Sequence, residues 1–166
     1  MKTNILITLA LLILFGCAKP QPSPMTSQEQ EAAKKELTEV VNAIIQGLET
    51  MDAEVLFQSY SNSPDFILFT TDATMADYQM AKNHNAEWFK SLSSLKVTTV
   101  KEEFRLLQDN VAVCAWHATF DMTFKAGGSP KMDFAITFIF NKIENHWKVV
   151  YQQTSILPPV PEKPTK

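Results

Sequence analysis

Two stretches near the end of the chain decide the fold: Lys131–Asn141 reads KMDFAITFIFN, and Trp147–Leu157 reads WKVVYQQTSIL. Both are long and rich in β-branched and aromatic residues, a composition that predicts β-strands. Only a few residues, including Glu144 and Asn145, separate them. Because so short a connection favours a tight turn, the two strands are predicted to pair as an antiparallel hairpin.

Two further strands are predicted upstream, over Lys96–Gln108 and Val111–Lys125. Asp109-Asn110 separates these two, and Gly127-Gly128 separates the second from Lys131–Asn141. Residues of these types mark turns. The second half of the domain is therefore predicted to be a meander of four antiparallel strands.

The region before the strands shows helical periodicity instead. Ser27–Gln30 has the form of a capping box. Behind it apolar residues recur at helical spacing, which predicts one long helix with one apolar face. These residues are Leu37, Val40, Val41, Ile44, Ile45, Leu48 and Met51.

Two more helices and a short strand are predicted between this helix and the meander. Asp52 is suited to cap a short helix that carries Tyr60, and Phe66–Phe69 favours a buried strand. Thr74 followed by Asp77 indicates the start of a third helix, with Trp88 on its inner face. Helices first and strands afterwards predict an α+β domain, with the helices on one face of a bent sheet.

The N-terminus has the pattern of a secretory signal. Lys2 supplies a positive charge, and Ile5–Phe15 is apolar except for Thr8. The run is shorter than the ~20 residues of a membrane-spanning helix. Gly16-Cys17 then resembles the lipobox of bacterial lipoproteins, which implies that Cys17 is acylated and anchors the protein in a cell-envelope membrane. An ordinary signal peptide with a chance cysteine is the alternative.

Proline-rich segments flank the predicted domain on both sides. Such segments favour extended linkers and solvated ends. The predicted organisation is a signal peptide at 1–16, a lipidated Cys17 with a linker over 17–26, a domain over 27–157 and a disordered tail over 158–166.

Composition narrows the functional classes. A net charge of −3 without a basic block argues against nucleic-acid binding. If Cys17 carries lipid, Cys114 is the one remaining cysteine, and a lone cysteine in an apolar strand is predicted to be a small buried residue. The three histidines are scattered along the chain, and no two lie on a helix at metal-ligand spacing, so no metal site is predicted.

The order of elements and two local segments resemble the NTF2-like superfamily, in its SnoaL-like branch with the ketosteroid isomerase relatives. The segments are Ser63–Phe66, after the second helix, and Trp147–Ser155, in the last strand. The resemblance implies a cone-shaped fold whose cavity lies between the helices and the concave sheet. Because members of this superfamily use the cavity for catalysis, for ligand capture or for protein contacts, the fold does not fix the function.

The sequence departs from the polar-pocket pattern of many of these relatives. Ala135, two residues before Thr137, occupies the position of an arginine, and Gln153 that of a histidine. Without these cationic groups we expect a neutral or apolar ligand, or no ligand. No cofactor is predicted.

By the same resemblance, Asp133 and Thr137 in one strand and Tyr151 and Gln153 in the next are predicted to face the cavity. Tyr60 and Trp88 complete the candidate pocket. The opposite side of the penultimate strand is then a row of large apolar residues, and an exposed row of that kind predicts a homodimer interface. The row consists of Met132, Phe134, Ile136, Phe138 and Phe140. The alternative is that the two faces are exchanged, because β-bulges invert strand alternation.

Three functions follow from these predictions. The first is a membrane-anchored, non-catalytic module that binds a small neutral or apolar ligand. The second is an envelope scaffold that contacts another protein. The third is an isomerase-type or dehydratase-type enzyme that uses Asp133 with Tyr151 or Tyr60 as hydrogen-bond donor; the competing interpretation of Asp133 is a solvated residue at a strand end.

Overall fold

The computed structural model describes residues 25–158. The predicted signal segment, Cys17 and the linker as far as Pro24 lie outside these residues, as does the predicted tail from residue 159 onward. Within the described range, no helix combines the length and the apolar character that crossing a membrane requires.

Three helices and six strands make up the described residues. The helices are α1 (Ser27–Glu49), α2 (Ala53–Phe57) and α3 (Tyr78–Ser91). The strands are β1 (Ile67–Phe69), β2 (Met75–Ala76), β3 (Leu92–Gln108), β4 (Val111–Phe124), β5 (Lys131–Ile143) and β6 (His146–Ile156). The predicted α+β class is confirmed.

The long first helix follows the prediction except at its cap. Thr26, not Ser27, is the N-cap: its hydroxyl accepts a hydrogen bond from the Glu29 backbone N–H, and the Glu29 carboxylate accepts one from the Thr26 N–H. The capping box therefore lies one residue earlier than predicted. The buried face of α1 includes Leu37 and Ile44, as the helical spacing predicted.

Asp52 caps α2 as predicted, whereas the N-cap of α3 is Asp77 and not Thr74, because Met75–Ala76 forms β2. Oδ1 of Asp52 accepts hydrogen bonds from the backbone N–H groups of Glu54 and Val55 in the first turn of α2, and Oδ1 of Asp77 accepts one from the Met80 N–H in the first turn of α3. The prediction that α2 carries Tyr60 is wrong, because the helix ends at Phe57. Tyr60 lies in the segment that follows, opposite Val149 of β6.

The six strands form one sheet in the order β2-β1-β6-β5-β4-β3. The predicted antiparallel meander of β3 to β6 is confirmed. At the other edge, β1 runs parallel to β6 and antiparallel to β2, so the sheet is mixed. The hairpin of β1 and β2 was not predicted, and β3 begins at Leu92, four residues before the predicted Lys96.

The predicted assignment of the two sheet faces is wrong. The apolar row of β5 faces the helices and belongs to the core, or packs against it, and does not form an exposed interface. The large side chains of β4 lie beside it, among them Trp116 and Phe120. We call this helix-covered side the inner face and the opposite side the outer face.

A β-bulge in β6 explains why the predicted faces are wrong for the end of this strand. Ile139 lies opposite Tyr151, but the next residue, Phe140, lies opposite Val149, so Val150 is an extra residue in β6. An extra residue inverts the alternation. Trp147 and Val149 are consequently buried, whereas Tyr151, two residues beyond Val149, lies on the outer face with Ile139.

Candidate functional site

A cavity of about 470 Å³ lies between the helices and the inner face of the sheet. Its volume falls within the ~300–1,000 Å³ of small-molecule sites. Helices α1 and α2 contribute Ile44, Leu48 and Leu56 to its wall, and β5 contributes alternate residues from Met132 to Phe138. The predicted cavity between helices and sheet is therefore present in the structure.

Aromatic side chains form much of the wall. Trp88 on α3 and Trp116 on β4 both line the cavity. The Trp116 indole N–H donates a 3.0 Å hydrogen bond to the Thr99 hydroxyl, so its one polar group is satisfied within the protein. Trp116 therefore offers the cavity an apolar ring.

Tyr60 places a hydroxyl in this apolar wall. The segment that carries Tyr60 is fixed to β6, because Ser61 N–H donates to the Val149 carbonyl and Val149 N–H donates to the Ser59 carbonyl, both at 2.9 Å. The Tyr60 ring stacks on Phe57 at 4.8 Å between centroids and is 6% exposed. Its position is set by backbone pairing and by packing together.

The Tyr60 hydroxyl begins a chain of hydrogen bonds along the cavity wall. It donates to Oε1 of Gln152 at 2.7 Å, and Nε2 of Gln152 donates to the Thr154 hydroxyl at 2.9 Å. All three residues line the cavity. We call Tyr60, Gln152 and Thr154 the polar chain.

The remaining polar groups of the wall come from β1 and α3 and the residues beside them. Thr70 and Thr71 follow β1, and His84 and Asn85 lie on α3. Asn85 Nδ2 donates to the Ala81 carbonyl of its own helix at 2.9 Å. Thr71 and His84 are exposed, so they lie where the cavity meets solvent.

The electrostatic character of the cavity is close to neutral. Among the described residues that line it there is no Asp, Glu, Lys or Arg. Burial raises the pKa of the Tyr60 hydroxyl above its usual value, so Tyr60 stays protonated and acts as a hydrogen-bond donor at neutral pH. Such a wall suits an uncharged ligand, because a buried charge without a partner is costly.

The structure brings two of the six predicted pocket residues to the cavity, Tyr60 and Trp88. The other four, Asp133, Thr137, Tyr151 and Gln153, lie on the outer face, and their predicted place in the cavity is wrong. On β5 the cavity is lined by the other set of alternate residues, from Met132 to Phe138. On β6 the bulge at Val150 shifted the pattern by one residue.

The outer-face position of Asp133 removes the geometric basis for the predicted catalytic pair. Asp133 accepts a 2.5 Å hydrogen bond from the Thr119 hydroxyl, and its Oδ1 lies 3.9 Å from Nε2 of His117. The Tyr151 hydroxyl donates to Oε1 of Gln153 at 3.1 Å. Neither Asp133 nor Tyr151 lines the cavity, so they cannot act together on a molecule held there.

Sequence reasoning missed Gln152 and Thr154. A signal for the inner face of β5, but not for these two residues of β6, was present in β4, where the large apolar residues Trp116, Phe120 and Met122 alternate with smaller or more polar ones. Two neighbouring strands that each show one strongly apolar face share that face towards the core. Matching β4 to β5 in this way would have identified the inner face of β5, although not the bulge in β6.

Comparison with known proteins agrees with this architecture. The family model described as the SnoaL-like domain matches residues 37–160. The chain belongs to the SnoaL-like family. The cone-shaped NTF2-like α+β fold predicted for this SnoaL-like protein is confirmed. Comparison of its sequence with curated proteins finds no match.

Solved structures share the fold of this SnoaL-like protein at low sequence identity. An NTF2-like superfamily protein from Salmonella enterica has a TM-score of 0.72 and 16% identity, over 82% of this chain and 99% of that one. A type 2 hexachlorocyclohexane dehydrochlorinase has a TM-score of 0.71 and 7% identity, over 84% and 95%.

A third structure is the association domain of the Caenorhabditis elegans calmodulin-dependent kinase CaMKII. It has a TM-score of 0.63 and 12% identity, over 78% of the SnoaL-like chain and 99% of its own. Identities this low show a shared fold only. The function of the SnoaL-like protein therefore has to be inferred from its own residues.

Proposed function

We propose that this SnoaL-like protein is a non-catalytic binding module that holds one small, uncharged and mainly apolar molecule in its cavity. The observation that carries the proposal is the lining of the 470 Å³ cavity, which is largely aromatic and aliphatic and contains no Asp, Glu, Lys or Arg among the described residues. General acid–base chemistry needs a titratable group within reach of the substrate. Among the described lining residues, the side chains that can exchange a proton in this way are Tyr60 and His84. Tyr60 is engaged with Gln152, and His84 is exposed.

Native mass spectrometry of the full chain purified from its host tests this proposal. We expect a non-covalent, uncharged adduct at one copy per chain that is released by mild activation. A chain that carries no adduct and takes up no uncharged apolar compound on titration would instead favour the scaffold alternative, in which the protein acts through its surface.

The sequence pattern around Cys17 supports a membrane anchor for this module. Two or more acyl chains give stable membrane attachment, whereas one chain gives marginal binding. We therefore propose that the protein is tethered through lipid on Cys17 at a cell-envelope membrane. Incorporation of labelled palmitate by the full chain, and its loss in Cys17→Ser, would support this localisation; equal labelling of both chains would contradict it.

Self-association through the outer face is the second part of the proposal. Partly exposed apolar side chains lie there in neighbouring strands, among them Ile67, Ile139 and Tyr151. Ala115 and Ala135 keep the middle of the face flat. Association domains occur among structures of this fold. We infer a homodimer in which two outer faces pack together. The interface is then formed by these residues and not by the apolar row of β5, which is part of the core.

A further inference from the structure

The hydrogen bonds of the polar chain all run in one donor-to-acceptor direction. This direction decides whether the end of the chain offers a ligand a donor or an acceptor. Tyr60 donates to Gln152, and Gln152 donates to Thr154. Both bonds therefore run in the same donor-to-acceptor direction, from Tyr60 to the Thr154 hydroxyl. Hydrogen bonds in a chain polarise one another, so the last donor is strengthened.

The last donor of the chain is left open. The Thr154 oxygen accepts from Gln152, and the proton of its hydroxyl has no acceptor among residues 25–158. The other amide proton of Gln152 also has no acceptor in that range. Both residues line the cavity, so a ligand with an acceptor group can supply the hydrogen bond that the protein does not.

The two ends of the chain differ in access. Tyr60 is buried and packed between Phe57 and Phe66, whereas Gln152 and Thr154 are only half-buried. A ligand in the cavity can therefore reach the donor end, at Thr154, more readily than the Tyr60 oxygen. The bulge at Val150 produces this arrangement, since it turns Gln152 and Thr154 inward.

We propose that the polar chain selects uncharged ligands that carry a hydrogen-bond acceptor, a ketone, ester or ether oxygen, which accepts from the Thr154 hydroxyl. The inference rests on the proposed ligand-binding function and specifies the chemical class of the ligand. A hydrocarbon of the same shape leaves the open donor unpaired. A carboxylate finds no Lys or Arg among the described lining residues to balance its charge.

A matched pair of fluorescent probes tests this specificity. The first is 6-propionyl-2-(dimethylamino)naphthalene, an uncharged aryl ketone whose emission shifts to longer wavelength when its carbonyl accepts a hydrogen bond. The second is the 6-propyl analogue, which lacks the carbonyl. For the full chain we expect the ketone to bind about three- to tenfold more tightly than the analogue, the range that one neutral hydrogen bond supplies.

The decisive variant is Thr154→Val, which keeps the shape of the side chain and removes the hydroxyl. We expect it to lose that advantage for the ketone, to shift the bound emission to shorter wavelength and to leave binding of the propyl analogue unchanged. Thr154→Ser should retain the advantage. Thr71→Val is the matched control, because Thr71 lines the same cavity but lies outside the polar chain. A thermal melt of each variant shows that it is folded.

The outcomes separate this inference from the proposed function. Equal affinity of the full chain for both probes overturns acceptor selection while leaving the binding module in place. An equal loss of both probes in Thr154→Val also overturns it, because the residue then acts only through packing. Binding of neither probe counts against the proposed function itself.

Discussion

Gly47 of α1 lies so close to Leu56 of α2 that a Cβ atom at position 47 would stand 2.4 Å from the Leu56 Cα. The obstacle is backbone, which a rotamer change cannot move aside. Leu56 itself and Leu48, the residue after Gly47, both line the cavity. The close approach of the two helices therefore sets one wall of the site.

Gly47→Ala should destabilise the protein, although the same change in an exposed helix gains up to ~1 kcal/mol. Forcing a methyl group into a packed site costs about 1–3 kcal/mol or more, and here the second helix must shift. Chemical denaturation of the variant measures the loss. Asn42→Ala, on the exposed side of α1, is the control and should be neutral or slightly stabilising. A stabilised Gly47→Ala variant would show that α1 and α2 do not pack as described.

Glu36 should make stability depend on pH. Its Oε2 accepts hydrogen bonds from Lys142 Nζ at 2.8 Å and from the Trp147 indole N–H at 2.9 Å. The hydrogen bond from Lys142, helped by that from Trp147, lowers the pKa of Glu36 below its usual 4.5. A lowered pKa in the folded state stabilises the protein above pH 4.5, and the stabilisation is lost as pH falls through the folded-state value.

Glu36→Gln keeps an oxygen for Trp147 and removes the charge. Because the Glu36 side chain is 49% exposed, the expected loss at pH 7 is at most about 1 kcal/mol. Urea denaturation of both proteins from pH 7 to pH 3 should show the difference shrinking below pH 4.5. A difference that stays constant across this range would rule out the charge as its source.

Cys114 should be inert in the folded protein. Its side chain is fully buried, and burial raises the pKa of its thiol to about 12, so almost no thiolate forms at pH 8. In Cys17→Ser, where Cys114 is the only cysteine, iodoacetamide should label the chain after unfolding and not before. Adding Thr98→Cys, an exposed position on β3, supplies a thiol that reacts in the folded state. Rapid native labelling of Cys114 would contradict its burial.

The proposed dimer predicts a specific effect of charge on the outer face. Thr137 is exposed between Ala115 and Gln153 of the neighbouring strands, so Thr137→Arg places two like charges in a two-fold interface without disturbing the core. Light scattering should give a dimer for the unmodified chain and a monomer for this variant. Leu107→Arg, at the exposed end of β3, is the control and should remain dimeric. A monomeric unmodified chain would end the proposal.

The sequence predicted most of the elements and less of the site. The first helix and the four long strands were predicted because local signals, the spacing of Leu37 and Ile44 and the turn at Asp109-Asn110, determine them. The parallel pairing of β1 with β6 is a long-range contact that no local pattern encodes. The cavity residues Gln152 and Thr154 were missed because a single extra residue, Val150, decides which alternate residues of β6 beyond it face inward.

The central claim is that the space between the helices and the inner face receives an uncharged apolar molecule. Titration of the full chain with the 6-propyl naphthalene, followed by quenching of tryptophan fluorescence, tests it directly when two adjacent variants are compared. Met132→Trp fills the cavity, whereas Asp133→Trp adds the same side chain to the outer face. We predict one probe per chain, at least a tenfold weaker affinity in Met132→Trp and an unchanged affinity in Asp133→Trp. Binding of the probe by Met132→Trp as tightly as by the unmodified chain, or loss of binding in Asp133→Trp instead, would contradict a ligand site in this cavity.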